Sequence, residues 1–430
     1  PLLVSLPNFQ PVPIAYASPD PGVVAQWEYA ESLSESSSSS TSFAEKVRLT
    51  FTPSSVGDWL VIITFQARHT NIGDSFEVRG QLDDNSAKII CLPNQEPEIN
   101  DATLEYRTFG HFRVFQDLST SAHHIDVDYR TQDLGTTMYI KNVRIVAIGI
   151  GDLDGVNNAY QEAESGVKGT SGWTDTVEAS ITPTETNKKY LVIGCLEVQP
   201  YTYTSYYAEA RISVDDATYI PVEAPTGKYW TSTTKDLGDW FPLMGYAVVT
   251  LTSGSHTVAL QIKGSSTESD YRYRRILVLR LDDVYEYEYV SNRNENSQTG
   301  TTWKDASVLQ FTSSASDYLI LASMCGRLGT SGSSFQNRFT IGDIPQVDHI
   351  DHFEEQSDAS YRSFQFAEIK SLLAESQTFK NQFRACDAAY TAYVKESVIV
   401  AIKRPLPVDT PPVWSNAGTN NTVAGKPTLF

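Results

Sequence analysis

Two hydrophobic patterns recur along the chain. The first is a short unbroken apolar run behind a polar turn and an aromatic residue: Trp59-Leu60-Val61-Ile62-Ile63, Tyr190-Leu191-Val192-Ile193-Gly194-Cys195 and Tyr318-Leu319-Ile320-Leu321-Ala322. The second alternates. In His124-Ile125-Asp126-Val127-Asp128-Tyr129 the residues Ile125, Val127 and Tyr129 share one face, and Val258-Ala259-Leu260-Gln261-Ile262 behaves alike. A period of two predicts a half-buried strand. Phe379-Lys380-Asn381-Gln382-Phe383 keeps the period loosely, with Asn381 interrupting it. Phe366 to Leu373 has some helical look, but its counterparts elsewhere read as strands, so a strand and loop is predicted there.

The patterns come three times in the same order. The leading aromatics stand at 59, 190 and 318, that is 131 and 128 residues apart. Each unit closes on an aromatic, a few basic or polar residues and an apolar run: Tyr139 to Ile148, Tyr273 to Leu279 and Tyr393 to Ile402. A tandem repeat at this period, with about seven or eight short strands per unit, predicts β-sandwiches. The expected fold is all-β: three tandem antiparallel β-sandwich domains, jelly-roll or Ig-like, over residues 23–152, 153–290 and 291–404. Extended arms flank them at 1–22 and 405–430.

Composition agrees. Twenty-three Tyr, 18 Phe and 7 Trp against 3 Met lean to β structure. With 33 basic and 52 acidic residues the formal charge is -19, which excludes nucleic acid as the main partner and docking on an anionic membrane. No apolar run reaches the roughly 18 residues of a membrane span, so no membrane insertion is expected. The chain starts at Pro1, so either it has been processed or the numbering begins inside a longer product; with the acidic, Tyr- and Thr-rich composition, an extracellular, cell-surface or virion protein is expected. Cys91, Cys195, Cys325 and Cys386 form no CxxC pair; Cys325 and Cys386 share a unit and are either a disulfide or two buried thiols.

The arms are Pro-rich yet apolar. Pro1, Pro7, Pro11, Pro13, Pro19 and Pro21 bar a helix or central strand, while Phe9, Val12, Ile14 and Tyr16 need a groove, in cis or on a neighbouring copy by strand addition. The C-terminal arm carries Pro405, Pro407, Pro411, Pro412 and Pro427. Arms at both ends of a rod of domains suit a head-to-tail polymer. Ser34 to Ser42 reads as a flexible or O-glycosylated loop, and Asn420 opens an N-x-[ST] sequon.

Few residues suggest site chemistry. Asp152, Asp154 and Asn157, with Gly155 between them, read either as oxygen ligands for calcium or as an acidic interdomain turn. The segment Asp348 to Glu355 and the face His124, Asp126, Asp128 offer metal ligands or plain solvated charge. Glu286 and Glu288 share a strand face, Gly73-Asp74-Ser75 lacks hydrolase partners, and Tyr201, Tyr203, Tyr206, Tyr207 and Trp230 offer glycan-stacking surfaces. No cofactor is expected.

Ser253-Gly254-Ser255-His256-Thr257-Val258-Ala259-Leu260-Gln261, with the closing Arg-Ile-Val-Ala-Ile type strand, resembles strands of jelly-roll modules in phage tail or head fibres and bacterial surface filament proteins. That resemblance implies a non-enzymatic β module that assembles into a fibre or shell, or binds glycans. The function expected is a structural subunit of an extracellular polymer, a pilus-like surface filament or virion fibre, built from copies of itself through its arms and domain–domain contacts. The alternatives are a glycan-binding adhesin or tail-fibre module, and an all-β carbohydrate-active enzyme.

Overall fold

The computed structural model describes residues 26–70, 75–95, 106–200, 208–216, 218–220, 240–264, 269–329, 333–353 and 362–405. Among these there is no helix. The first unit comprises β1 (Trp27–Ser32), β2 (Ser36–Ser38), β3 (Ala44–Phe51), β4 (Gly57–His69), β5 (Phe76–Leu82), β6 (Ile89–Cys91), β7 (Asn94–Gln95), β8 (Arg107–Leu118), β9 (His123–Thr131) and β10 (Met138–Gly149). The second comprises β11 (Asn158–Ala163), β12 (Val167–Lys168), β13 (Thr174–Ile181), β14 (Lys188–Pro200), β15 (Ala208–Val214), β16 (Thr218–Ile220), β17 (Phe241–Leu251), β18 (His256–Gly264) and β19 (Ser269–Arg280). The third comprises β20 (Tyr287–Asn292), β21 (Asn296–Thr299), β22 (Lys304–Thr312), β23 (Ser316–Leu328), β24 (Ser333–Ile341), β25 (Ile344–Phe353), β26 (Arg362–Leu372), β27 (Ser376–Ala385) and β28 (Thr391–Lys403).

Pairing within a unit is nested. In the second unit β11 pairs with β19, β13 with β18, β14 with β17 and β15 with β16, so the chain forms one long antiparallel hairpin wound into two sheets. The sheets run β11-β19-β14-β17 and β13-β18-β15-β16. This is the jelly-roll order, two Greek keys in one sandwich. The other units repeat it, as β1-β10-β4-β8 with β3-β9-β5-β6, and β20-β28-β23-β26 with β22-β27-β24-β25.

Two details depart from the sequence reading. Ser36–Ser38 is not a loop but β2, paired to β10, with Ser38 buried. Strand β20 starts at Tyr287, inside the span 153–290 read as the second unit, and its pairing with β28 puts it in the third unit. The Phe366–Leu373 stretch lies in β26 and its end, as a strand.

The two hydrophobic patterns now have a cause. Sheets holding β4, β14 and β23 are apolar on both faces. In β4, Trp59, Val61 and Ile63 fill the sandwich, while Leu60 and Ile62 point the other way. Those outward residues join Leu191 and Ile193 of β14, Leu319 and Leu321 of β23 and the closing-strand residues Val146, Ile148, Leu277, Leu279, Val400 and Ile402 in one shared cluster. A strand buried on both sides reads as an unbroken apolar run; the outer-sheet strands, wet on one side, alternate. Asn381, which interrupts the period of β27, is buried, and its amide binds Ser307 Oγ, Ser397 Oγ and the Ser323 and Val398 carbonyls. That polar knot divides the third unit's interior into two apolar clusters.

The three inner sheets therefore meet around one axis rather than lining up as a rod. Edge strands β8, β17 and β26 each touch the other two. Register makes Gly110, Met244 and Gln365 equivalent, opposite Thr64, Cys195 and Ser323. These three converge at the axis. A Cβ on Gly110 would lie 2.6 Å from Met244 Cε and 3.0 Å from Gln365 Cβ, and Gln365 Nε2 donates to the Met244 carbonyl at 2.9 Å. Gly110→Val should overpack this point and lower stability by about 1–3 kcal/mol in urea titration.

Candidate functional site

Among the described residues, the junctions between units hold several buried charges, Arg113, Arg144, Glu197, Arg275 and Glu368. Each closing strand carries a bulge with a residue in the left-handed region: Asn142 (φ 51), Tyr273 (φ 47) and Glu396 (φ 51). The register shifts there in all three units. The bulge turns the residue two places on, Arg144, Arg275 or Val398, toward the neighbouring unit.

Arg275 is fully buried (0 % exposed). Its Nη1 donates to the Ile90 carbonyl at 2.7 Å and the Phe112 carbonyl at 3.1 Å, and lies 3.0 Å from His111 Nδ1; Nη2 donates to the Ile89 carbonyl at 3.0 Å. All four partners belong to the first unit. Glu162, across the sheet on β11, lies 3.3 Å from Arg275 Nε and 2.9 Å from Arg113 Nη2 of the first unit. Burial works against the Glu162 carboxylate, but the Tyr160 hydroxyl and the two guanidiniums outweigh it and hold its pKa below the usual value. Beside it Glu197, also 0 % exposed, accepts from the Leu92 amide at 2.7 Å and from Arg272 Nε at 2.8 Å, while Arg272 Nη2 donates to the Leu92 carbonyl at 2.7 Å. The second unit thus grips the β6 hairpin of the first by its backbone.

Arg144 repeats the arrangement toward the third unit. It is buried, with Nε 3.6 Å from Glu368 and 3.8 Å from Glu31, an Nη2 bond to the Gln346 carbonyl at 3.3 Å, and its guanidinium 4.9 Å above Phe366. At the third junction the pair Arg–Glu becomes Val398 opposite Ser291, and Val398 packs in the shared apolar core.

Cys195 Sγ lies 3.3 Å from His111 Nδ1, the spacing of a Cys–His nucleophile pair. Electrostatics deny that chemistry. Burial pushes the thiol up to about 12, and burial with the Arg275 charge drives His111 well below its ordinary value. The thiolate–imidazolium form is therefore disfavoured at both ends.

The residues singled out from sequence fall as follows. Phe9, Val12, Ile14, Tyr16, Tyr201, Tyr203, Tyr206, Tyr207, Trp230 and Asn420 lie outside the described residues. Asp152, Asp154 and Asn157 do not converge as a ligand set. Asp154 Oδ1 accepts the amides of Val156, Asn157 and Asn158, which hold its pKa down against the opposing effect of burial, and Asn157 Oδ1 is turned to Arg280 Nη1 at 2.8 Å. The trio is a capped turn. Glu286 pairs with Lys403 at 2.7 Å, and both Glu286 and Glu288 are exposed. Cys325 and Cys386 are not disulfide-bonded. His124 and Asp126 meet, but Asp128 is held by Arg79 at 2.7 Å and Asp84 takes its place.

Sequence reading missed a second repeated constellation, on the outer sheets. Phe43, Trp173 and Trp303 precede β3, β13 and β22, and each ring is covered by two cations. Arg79 and Arg130 lie 4.1 and 4.4 Å from Phe43, Arg211 and Lys263 4.1 and 5.6 Å from Trp173, and Arg338 and Arg384 4.3 and 4.4 Å from Trp303. The aromatics are 130 residues apart, a spacing that matches the repeat period and could have exposed them.

No family model matches the chain, and no curated protein does. Among solved structures it is similar to one described as the triple jelly roll fold and turret assembly in an archaeal virus, at 9% identity and TM-score 0.20 over 90% of this chain and 98% of that one. The atomic structure of Sulfolobus Turreted Icosahedral Virus matches at 9% identity and TM-score 0.20 over 84% of each chain. The N-terminal CBM22-1-CBM22-2 tandem domain from Paenibacillus barcinonensis Xyn10C matches at 9% identity and TM-score 0.16 over 62% of this chain and 99% of that one. The jelly-roll assignment itself rests on the strand order.

Arg275→Ala should cost about 3–5 kcal/mol, because Glu162 and three carbonyls lose a buried partner; chemical denaturation measures it. His111 stays neutral when folded and protonates when unfolded below its ordinary value of 6.5. Its contribution is therefore complete above pH 6.5 and is lost toward the folded-state value at about 1.4 kcal/mol per pH unit. His111→Phe, which copies Phe366 at the other Arg junction, should flatten stability between pH 6.5 and 5.

Proposed function

We propose that the chain is a non-enzymatic structural subunit of a virion or other extracellular assembly, built from copies of itself. What supports this is the shared core: inner-sheet residues of all three units are sealed in one apolar cluster. Unit-to-unit contacts of that kind are satisfied inside one chain. The contacts left for other copies are the outer sheets and the terminal arms.

The net charge of -19 makes copies repel at contact. Arms that add strands or fill grooves hold subunits without needing opposite charge. Phe9, Val12, Ile14 and Tyr16 are the anchors in this reading. The full chain should form oligomers or ordered particles, seen by sedimentation and negative-stain microscopy, and a chain lacking residues 1–22 should remain at single-chain mass. Assembly undiminished by the truncation would remove the arm from the mechanism.

A further inference from the structure

We propose that Asp84, His124 and Asp126 form a binding site for one Zn2+ ion at the β5–β6 turn of the first unit. Their ligand atoms lie within 4.8 Å of one another. His124 Nε2 is 3.1 Å from Asp84 Oδ2 and 3.3 Å from Asp126 Oδ2. Zinc bonds of about 2.0–2.2 Å in tetrahedral geometry set neighbouring ligand atoms about 3.4 Å apart, so the spacing fits three protein ligands and one open position.

Each carboxylate is held from outside by one oxygen and turns the other inward. Asp84 Oδ1 accepts from Gln81 Nε2 at 3.3 Å, and Asp126 Oδ1 accepts from Arg48 Nε at 2.5 Å. Asp126 is 0 % exposed, and its inward Oδ2 accepts no hydrogen bond. A buried carboxylate oxygen left without a donor is costly, and a cation would satisfy it. The backbone of His124 is fixed by Asp83 Oδ1, which accepts its amide at 3.1 Å. Arg48 Nη2 also approaches Asp84 Oδ2 at 3.9 Å and Glu45 pairs with Arg48 at 3.0 Å, so Arg48 offsets one of the two ligand charges and leaves the site anionic.

The repeat separates this trio from turn-holding. Asp83 and Asp84 adopt φ 55 and 51, and Asp215 and Asp216 adopt 53 and 51. Both turns are clamped by a histidine on the first Asp: His123 on Asp83 at 2.9 Å and His256 on Asp215 at 2.6 Å. Yet the positions of His124 and Asp126 hold Thr257 and Ala259 in the second unit, and Thr378 and Lys380 in the third. The turn stands without the trio in the second unit, so His124 and Asp126 are an addition peculiar to the first.

Titration of the full-length chain with ZnCl2 by calorimetry, with Co2+ absorption as the second readout, tests this. One equivalent should bind, weakened about tenfold or more by Asp84→Asn and by His124→Thr, which copies the second unit. Asp84 is exposed, so Asp84→Asn should fold normally, as circular dichroism would verify. His256→Gln, at the clamp of the second unit, should leave binding unchanged. No zinc binding by the parent chain, or affinity unaltered in Asp84→Asn or His124→Thr, overturns the proposal.

Discussion

Each inner sheet gives both of its faces to apolar cores, and no single unit can cover the second face. Leu60 and Ile62, or Leu191 and Ile193, would stand in water on an isolated sandwich. Burial of such a side chain is worth about 1.5–3 kcal/mol, so the shared cluster binds the units more tightly than their short connections could. The rest of the architecture follows. Sheets that meet back to back leave the alternating strands outside, and the edge strands β8, β17 and β26 must approach closely enough that one of them carries glycine at the axis.

Apolar packing alone does not fix which unit faces which. The polar junctions supply that register. Arg275 reads carbonyls of the first unit, and Arg144 reads a carbonyl and Glu368 of the third. Carbonyls take up donors of both desolvated guanidiniums and a carboxylate lies within ion-pair distance of each, so any slip would leave a charge buried without partners. The third junction, with Val398 and Ser291, does without such a pair.

Most of the fold was legible because burial leaves a period in the sequence. Unbroken runs marked inner strands and alternating runs marked outer ones, and the spacing of Trp59, Tyr190 and Tyr318 marked the repeat. The closed arrangement was not legible. Nothing local in Leu60 or Leu319 distinguishes a face covered by another unit from one covered by a loop. The helical look of Phe366 to Leu373 arose from the same cause, since a strand apolar on two faces has no period of its own. Of the site residues, His124 and Asp126 could be paired because they share a strand face, whereas Asp84 comes from a turn 40 residues away whose approach depends on a left-handed backbone. Arg144 and Arg275 read as ordinary basic residues ahead of an apolar run; only the bulge reveals where they point.

The convergence of Gly110, Met244 and Gln365 has a consequence for symmetry. Three identical chains around an axis must place three copies of one residue there, and every substitution is felt threefold. Fusing the units into one polypeptide lifts that constraint: association becomes intramolecular, and each position can drift by itself. Here one unit yields space, the second fills it and the third supplies a hydrogen bond to the second's backbone. The same freedom lets a single unit acquire chemistry, at no cost to the other two, that a homotrimer would be obliged to carry in triplicate.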